Sequence, residues 1–188
     1  MKRAVFLDRD GVINRDHGYV HRWEDFEFVP GVLDAAARLS SDGWTLVVVT
    51  NQSGIARGFY SEEAYLALTQ QMTEVFARAG APIAAVYHCP HHPEGRIAAL
   101  AVECGCRKPA PGLLLRAQDE LGLSLPDSVM VGDKASDLAA ASRAGVGRSF
   151  LICPGQVQAL VHDARGQAVF RDLSSCVDHL LGGAMEGR

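Results

Sequence analysis

Residues 5–14 read VFLDRDGVIN. An apolar run, RAVFL at 3–7, leads into Asp8, Arg9 and Asp10, and Gly11 follows at once. The run predicts a strand, and two like charges at the end of a buried strand need a physical reason. Downstream, TLVVVT at 45–50 is β-branched and uninterrupted, as in a strand buried on both faces. IAAVYH at 83–88, SVMVG at 128–132 and SFLIC at 149–153 predict three more strands. Helical patterns separate them: 31–41 after Pro30, 61–78 opened by Ser61, one started by Pro111, 137–144 closed by Gly145, and a last one over 174–182. Such alternation implies an α/β fold, a three-layer, Rossmann-like parallel sheet with helices on both faces. No repeat or low-complexity linker interrupts the chain, so residues 1–188 are expected to form one domain.

Ligands of such sheets bind beyond the carboxyl ends of the strands. Polar clusters stand at four of those ends: Asp8-Arg9-Asp10, Thr50-Asn51-Gln52-Ser53, Arg107-Lys108 and Gly132-Asp133-Lys134. Each alone reads as a turn, a cap or a solvated charge. All four would converge on one edge. There Asp8, Asp10 and Asp133 would raise one another's pKa unless a cation intervened. Magnesium suits this set, because it prefers oxygen ligands and typically takes one or two carboxylates plus a substrate phosphate. Lys108 and Lys134 add positive charge, and Thr50 and Asn51 add neutral donors, which suits a phosphoryl group. One aspartate could attack phosphorus, and a second could protonate the leaving oxygen and later deprotonate water. Asp8 is the expected nucleophile and Asp10 the expected acid/base.

Composition excludes several classes. Apolar residues make up 48% and charged residues 21%, which is the balance of a folded globular chain. The net charge of −4 and the lack of a basic tract argue against a nucleic-acid partner. No apolar run approaches the roughly 18 residues of a membrane span, and the first residues lack a signal-peptide core. A cytoplasmic, monomeric protein acting on a small molecule is expected. Five cysteines, an odd number, argue against a disulfide framework.

Three of those cysteines lie in YHCPHHPEGRIAALAVECGCRKP. Cys89, His91, Cys104 and Cys106 supply four soft or borderline ligands, the set of a closed, structural zinc site. Zinc there would pin residues 89–107, a loop too long to be left unsupported. His92 competes with His91 as the ligand, and His88 is expected to cap or pack. Cys153 and Cys176 are expected to be buried thiols. Arg107 could hold a second phosphate in bidentate fashion or form an ion pair within the loop. Arg57 is a further candidate for that phosphate, and Trp23 and Phe26 are expected to pack.

DRDGVIN, VVVTNQSGIARG, CRKPAPG and VGDKASDLAAA resemble the four motifs of the haloacid dehalogenase-like (HAD) phosphatase superfamily. The resemblance implies Asp8 as nucleophile and Asp10 as acid/base, with Thr50 and Lys108 holding the phosphoryl group. It also implies magnesium held by Asp8, Asp133 and the Asp10 main-chain carbonyl, with Asp137 as a supporting carboxylate. The C-x-H-H-P…C-x-C-R-K-P run narrows the resemblance to the D,D-heptose 1,7-bisphosphate phosphatases and the related histidinol-phosphate phosphatases. The first implies removal of a 7-phosphate, leaving a 1-phosphate for nucleotidyl activation. A zinc-stabilised interaction domain without catalysis is the contrasting possibility, and the intact Asp8, Asp10, Lys108 and Asp133 set argues against it. Between Asp8 and Thr50 there is no room for a large cap domain, so residues 14–28 are expected to form a flap.

Overall fold

A computed structural model describes residues 1–155, 160–162 (main chain only) and 166–182. The five apolar runs form β1 (Ala4–Leu7), β2 (Thr45–Asn51), β3 (Ile83–Cys89), β4 (Val129–Gly132) and β5 (Arg148–Ile152). They lie parallel in the order β3-β2-β1-β4-β5. Between and after them run α1 (Val32–Ser41), a single turn α2 (Ser53–Ala56), α3 (Glu62–Arg78), α4 (Gly112–Leu121), α5 (Ala135–Ala144) and α6 (Leu173–Gly182). Ser61 caps α3 by accepting the Ala64 N–H at 3.2 Å.

Side chains alternate across a strand, so β1 feeds two cores. Val5 and Leu7 pack with residues of α1, α3 and α6 on one face, and Ala4 and Phe6 with α4 and α5 on the other. Each such Val, Leu or Phe contributes about 1.5–3 kcal/mol relative to an exposed side chain. The central strands are therefore the firmest part of the molecule, and whatever stands at their ends is held in place.

The sheet is larger than the sequence pattern predicts. Two three-residue strands, β6 (Leu160–His162) and β7 (Ala168–Phe170), extend it beyond β5. β7 runs parallel to β5, but β6 is antiparallel to β7, so the sheet is not purely parallel. Strands this short carry no readable period. Cys153 is a second correction: β5 ends at Ile152, and Cys153 is exposed rather than buried. Cys176 is buried under α6, as expected. The single-domain expectation for 1–188 includes residues 156–159, 163–165 and 183–188, which lie outside the described residues.

Residues 14–28 form the flap. It contains one 3-10 turn, Trp23–Asp25, and its two ends pair through an Asn14–Phe28 bridge. Trp23 and Phe26 stack at 5.4 Å between ring centres, and Phe28 meets Phe76 of α3 at 6.0 Å. The flap is thus anchored by aromatic packing beside the strand ends.

Candidate active site

β1 delivers Asp8 to the sheet edge, where its N–H donates to the Val131 carbonyl at 3.0 Å. One residue on, the chain wraps: the N–H groups of Val12, Ile13 and Asn14 all turn back to the Arg9 carbonyl. Gly11 sits in this turn with φ +88, and a Cβ there would overlap the Asp133 carboxyl. Glycine is required at this position both for the backbone and for the approach of Asp133. Gly132 likewise leaves the space that the Asp137 carboxyl fills.

Lys108 is the electrostatic centre of the site. It is 3% exposed, and its ammonium lies 2.9 Å from Asp8 Oδ1 and 2.6 Å from Asp137 Oδ1. It also donates to the Val49 carbonyl at 2.7 Å. Burial alone would lower its pKa, but the Asp8 and Asp137 charges outweigh burial and raise it. Asn51 fixes the Lys108 main chain from both sides: its amide donates to the Lys108 carbonyl, and its Oδ1 accepts the Lys108 N–H, each at 3.0 Å. Asn51, expected among the substrate contacts, thus has its amide engaged in positioning Lys108. The Lys108–Pro109 peptide is cis.

Asp8, Asp133 and Asp137 form an acidic group whose oxygens could share a cation. Both oxygens of Asp137 are already taken, Oδ1 by Lys108 and Oδ2 by the Lys134 N–H at 3.0 Å. Asp133 differs. Its Oδ1 is buried without a partner, and burial followed by the nearby Asp8 charge pushes its pKa up to about 7. A pair of carboxylates with an orphaned buried oxygen is the donor set of a hard divalent cation. Lys134, expected to contact substrate, lies 3.4 Å from Asp16 and 3.5 Å from Asp133 at the mouth of the site.

Asp10 faces elsewhere. Its Oδ1 accepts from Arg9 Nε at 3.2 Å, Arg9 Nη2 at 2.6 Å and Asn14 Nδ2 at 3.0 Å. Its Oδ2 accepts from Gln52 Nε2 at 3.1 Å. The Asp10 carboxyl is therefore outside the acidic group, held by Arg9, Asn14 and Gln52. Gln52 also donates to Thr50 Oγ1 at 3.0 Å, and its Oε1 accepts from the Tyr60 hydroxyl at 2.7 Å. Burial raises the Tyr60 pKa well above its ordinary value, so the phenol remains a donor. Arg9, Gln52 and Tyr60 are functional candidates that sequence reasoning missed. The only signal was position, since Gln52 lies between motif residues and Arg9 between two aspartates. Asp10, Asn51, Gln52, Tyr60, Asp16 and Lys134 line a cavity of about 280 Å³.

The Cys/His loop draws its four residues together. Cys106 Sγ lies 3.2 Å from Cys89 Sγ, 3.3 Å from Cys104 Sγ and 3.4 Å from His91 Nδ1, and Cys89 Sγ is 3.5 Å from Cys104 Sγ. Thiolates about 2.3 Å from one zinc ion stand about 3.8 Å apart, so these edges approach those of a zinc tetrahedron. Burial would raise the Cys104 thiol pKa, but a hydrogen bond with Cys106 and the N–H groups of Arg107 and Cys106 lower it overall. Burial raises the neighbouring Cys89 and Cys106 thiols, so the fit to zinc rests on the ligand types and their close spacing. His92 is not in this group; it faces Arg57 Nη2 at 3.1 Å. Arg107 donates to the His91 carbonyl at 3.3 Å and so braces the loop. Arg57, near His92 and Glu94, belongs to the loop rather than to the cavity. His88 pairs with Glu62 at 2.8 Å and packs on Tyr65.

Comparison with known proteins agrees with this geometry. A HAD-hydrolase-like family model matches residues 105–176, the segment from the end of the Cys/His loop through α5 to α6. The chain is 55% identical to D-glycero-beta-D-manno-heptose-1,7-bisphosphate 7-phosphatase of Vibrio cholerae, over 82% of this chain and 83% of that one. It is 47% identical to D-glycero-alpha-D-manno-heptose-1,7-bisphosphate 7-phosphatase of Burkholderia mallei, over 96% and 94%. Its fold superposes on D,D-heptose 1,7-bisphosphate phosphatase from B. bronchiseptica, solved with magnesium and phosphate, with a TM-score of 0.80 at 32% identity, covering 97% and 99%. Among the described residues no helix is long and apolar enough to cross a membrane. The chain belongs to the D-glycero-D-manno-heptose-1,7-bisphosphate 7-phosphatase family of HAD-like hydrolases.

Proposed function

We propose that this chain hydrolyses the 7-phosphate of D-glycero-D-manno-heptose 1,7-bisphosphate through a phosphoaspartate on Asp8, in the making of nucleotide-activated heptose. The observation that carries the reading is the buried Asp8–Lys108–Asp137 line at the sheet edge. Asp137 holds the ammonium, and the ammonium holds the Asp8 carboxylate in place to attack. One Asp8 oxygen bonds to phosphorus as the bond to the sugar oxygen breaks, and Asp10 protonates that oxygen. Asp10 then takes a proton from water, which attacks the phosphoaspartate and releases phosphate. Lys108 and the Thr50 hydroxyl contact the phosphoryl oxygens in transfer, and Lys134 guards the mouth.

Asp8, Asp133 and the Asp10 main-chain carbonyl would hold magnesium. Bound there, it would neutralise the two carboxylates and the charge developing on the phosphoryl group. Cys89, His91, Cys104 and Cys106 would hold a structural zinc that sets the loop leading to Lys108. Five cysteines without a disulfide among them favour a reducing, cytoplasmic setting, and the enzyme is expected to act as a monomer.

The test is phosphate release with magnesium from both anomers of the heptose bisphosphate, fructose 1,6-bisphosphate and histidinol phosphate. Both anomers belong in the assay because the relatives' names carry both. A heptose bisphosphate should be the best substrate. Equal or better hydrolysis of histidinol phosphate would overturn the assignment.

A further inference from the structure

The two oxygens of Asp10 are not equivalent. An ionised carboxylate has about four lone-pair sites, two on each oxygen. Oδ1 meets three donors, two from the buried Arg9 guanidinium and one from Asn14. It has no room for a proton. Oδ2 meets one donor, Gln52 Nε2. The proton that Asp10 exchanges must therefore travel on the remaining lone pair of Oδ2.

Gln52 is 2% exposed, and its amide can face only one way. The Tyr60 hydroxyl donates to Oε1, which turns Nε2 towards Asp10 and Thr50. Were the amide reversed, its carbonyl oxygen would face the Asp10 carboxylate oxygen, and the bond to Asp10 would become a repulsion. Gly54 makes this arrangement possible, because a Cβ there would overlap the Tyr60 ring. The same Nε2 occupies an acceptor site of Thr50 Oγ1, leaving the threonine O–H to donate to a phosphoryl oxygen.

We infer that Gln52 is a positioning residue for the acid/base, with Tyr60 fixing its amide so that Asp10 Oδ2, and not Oδ1, gives and takes the proton. This rests on the reading of Asp10 as the acid/base. As Asp8 bonds to phosphorus, the electron pair of the breaking P–O bond stays on the sugar oxygen, which takes the proton from Oδ2. Water later returns a proton to the same oxygen.

The experiment compares leaving groups in the full chain loaded with magnesium and zinc. A sugar alkoxide needs a proton to depart, whereas p-nitrophenolate does not. For Gln52→Leu, kcat/KM should fall for both substrates, because Thr50 also loses its partner. The fall for the heptose bisphosphate should exceed that for p-nitrophenyl phosphate by about tenfold or more, a part of the 10²–10⁴ that a positioned acid contributes. Tyr60→Phe should show the same selectivity to a smaller degree, and it carries the test alone if Gln52→Leu does not fold. Asp10→Asn should be the most selective of the three. Equal losses for the two substrates in Gln52→Leu or, failing that, Tyr60→Phe, with Asp10→Asn still selective, would overturn the role of Gln52 alone. Equal losses in Asp10→Asn would overturn the acid/base reading beneath it.

Discussion

Replacing Lys108 by methionine tests the electrostatic centre of the site. Methionine nearly fills the same volume, so the change removes charge and hydrogen bonds rather than packing. The ammonium holds Asp8 at 2.9 Å, Asp137 at 2.6 Å and the Val49 carbonyl at 2.7 Å, with 3% of the residue exposed. Breaking a buried ion pair by removing one partner costs about 3–5 kcal/mol, because the other charge is left uncompensated. Here two carboxylates are left. One will take up a proton, which keeps the loss near that range instead of doubling it. For a chain of 188 residues each kcal/mol shifts Tm by about 2–4 °C, so Tm should fall by about 6–20 °C. The pH response identifies the cause. A buried, unpaired carboxyl has a folded pKa above its unfolded value. Its contribution is fully present below the unfolded pKa and is lost as pH rises through the folded one. The Lys108→Met variant should therefore gain stability, relative to the parent, as pH falls from 8 towards 5. The parent's lysine, with its pKa raised, keeps its contribution across this range and loses it only at alkaline pH. The assay is thermal unfolding of both proteins, zinc-loaded and in magnesium-free buffer, at several pH values. A loss below about 1 kcal/mol with no relative gain at low pH would refute the reasoning.

Three further outcomes are expected. Asp8→Asn should abolish phosphate release while leaving Tm within a few degrees, since asparagine still offers Lys108 an oxygen; measurable turnover would remove Asp8 from the nucleophile's role. Cys104→Ser should lower zinc per chain, read by elemental analysis, and lower stability, and stoichiometric zinc in that variant would show the ligand set to be wrong. Asp133, raised to about 7, favours the magnesium-free fold most below its unfolded pKa, and that contribution is lost as pH rises through about 7. Titration calorimetry should accordingly find magnesium binding weakened below pH 7 and accompanied by proton release there; affinity flat from pH 5 to 8 would contradict this.

The strand ends were legible because a strand buried on both faces must be apolar throughout, so its first polar residue marks the sheet edge. Asp8, Thr50 and Asp133 were located in that way. The Cys/His loop was legible because metal ligation demands specific residue types at short spacing. What could not be read was the direction of side chains once the chain leaves the strand. Alternation would set Asp8 and Asp10 on the same side, but β1 ends at Leu7 and the Asp10 carboxyl is held by Arg9, Asn14 and Gln52, outside the acidic group of Asp8 and Asp133. Gln52 was invisible for the same reason: its meaning lies in three bonds to residues that neither spacing nor period relates to it. Nothing in the sequence marked Arg9 for burial, and it is fully buried. β6 and β7 are too short for their pattern to rise above chance.

Arg9 Nη2 holds two things at once, the Asp10 carboxylate at 2.6 Å and the carbonyl of Val20 in the flap at 2.7 Å. A single rigid, planar group thus ties Asp10, the proposed proton donor, to the flap. Substrate range and chemical rate cannot then drift separately during evolution. On the proposed role of Asp10, a flap remodelled to admit a different sugar would tug on the guanidinium and misalign that carboxyl, so a new specificity would arrive with a slower reaction until a second change near Arg9 restored the alignment.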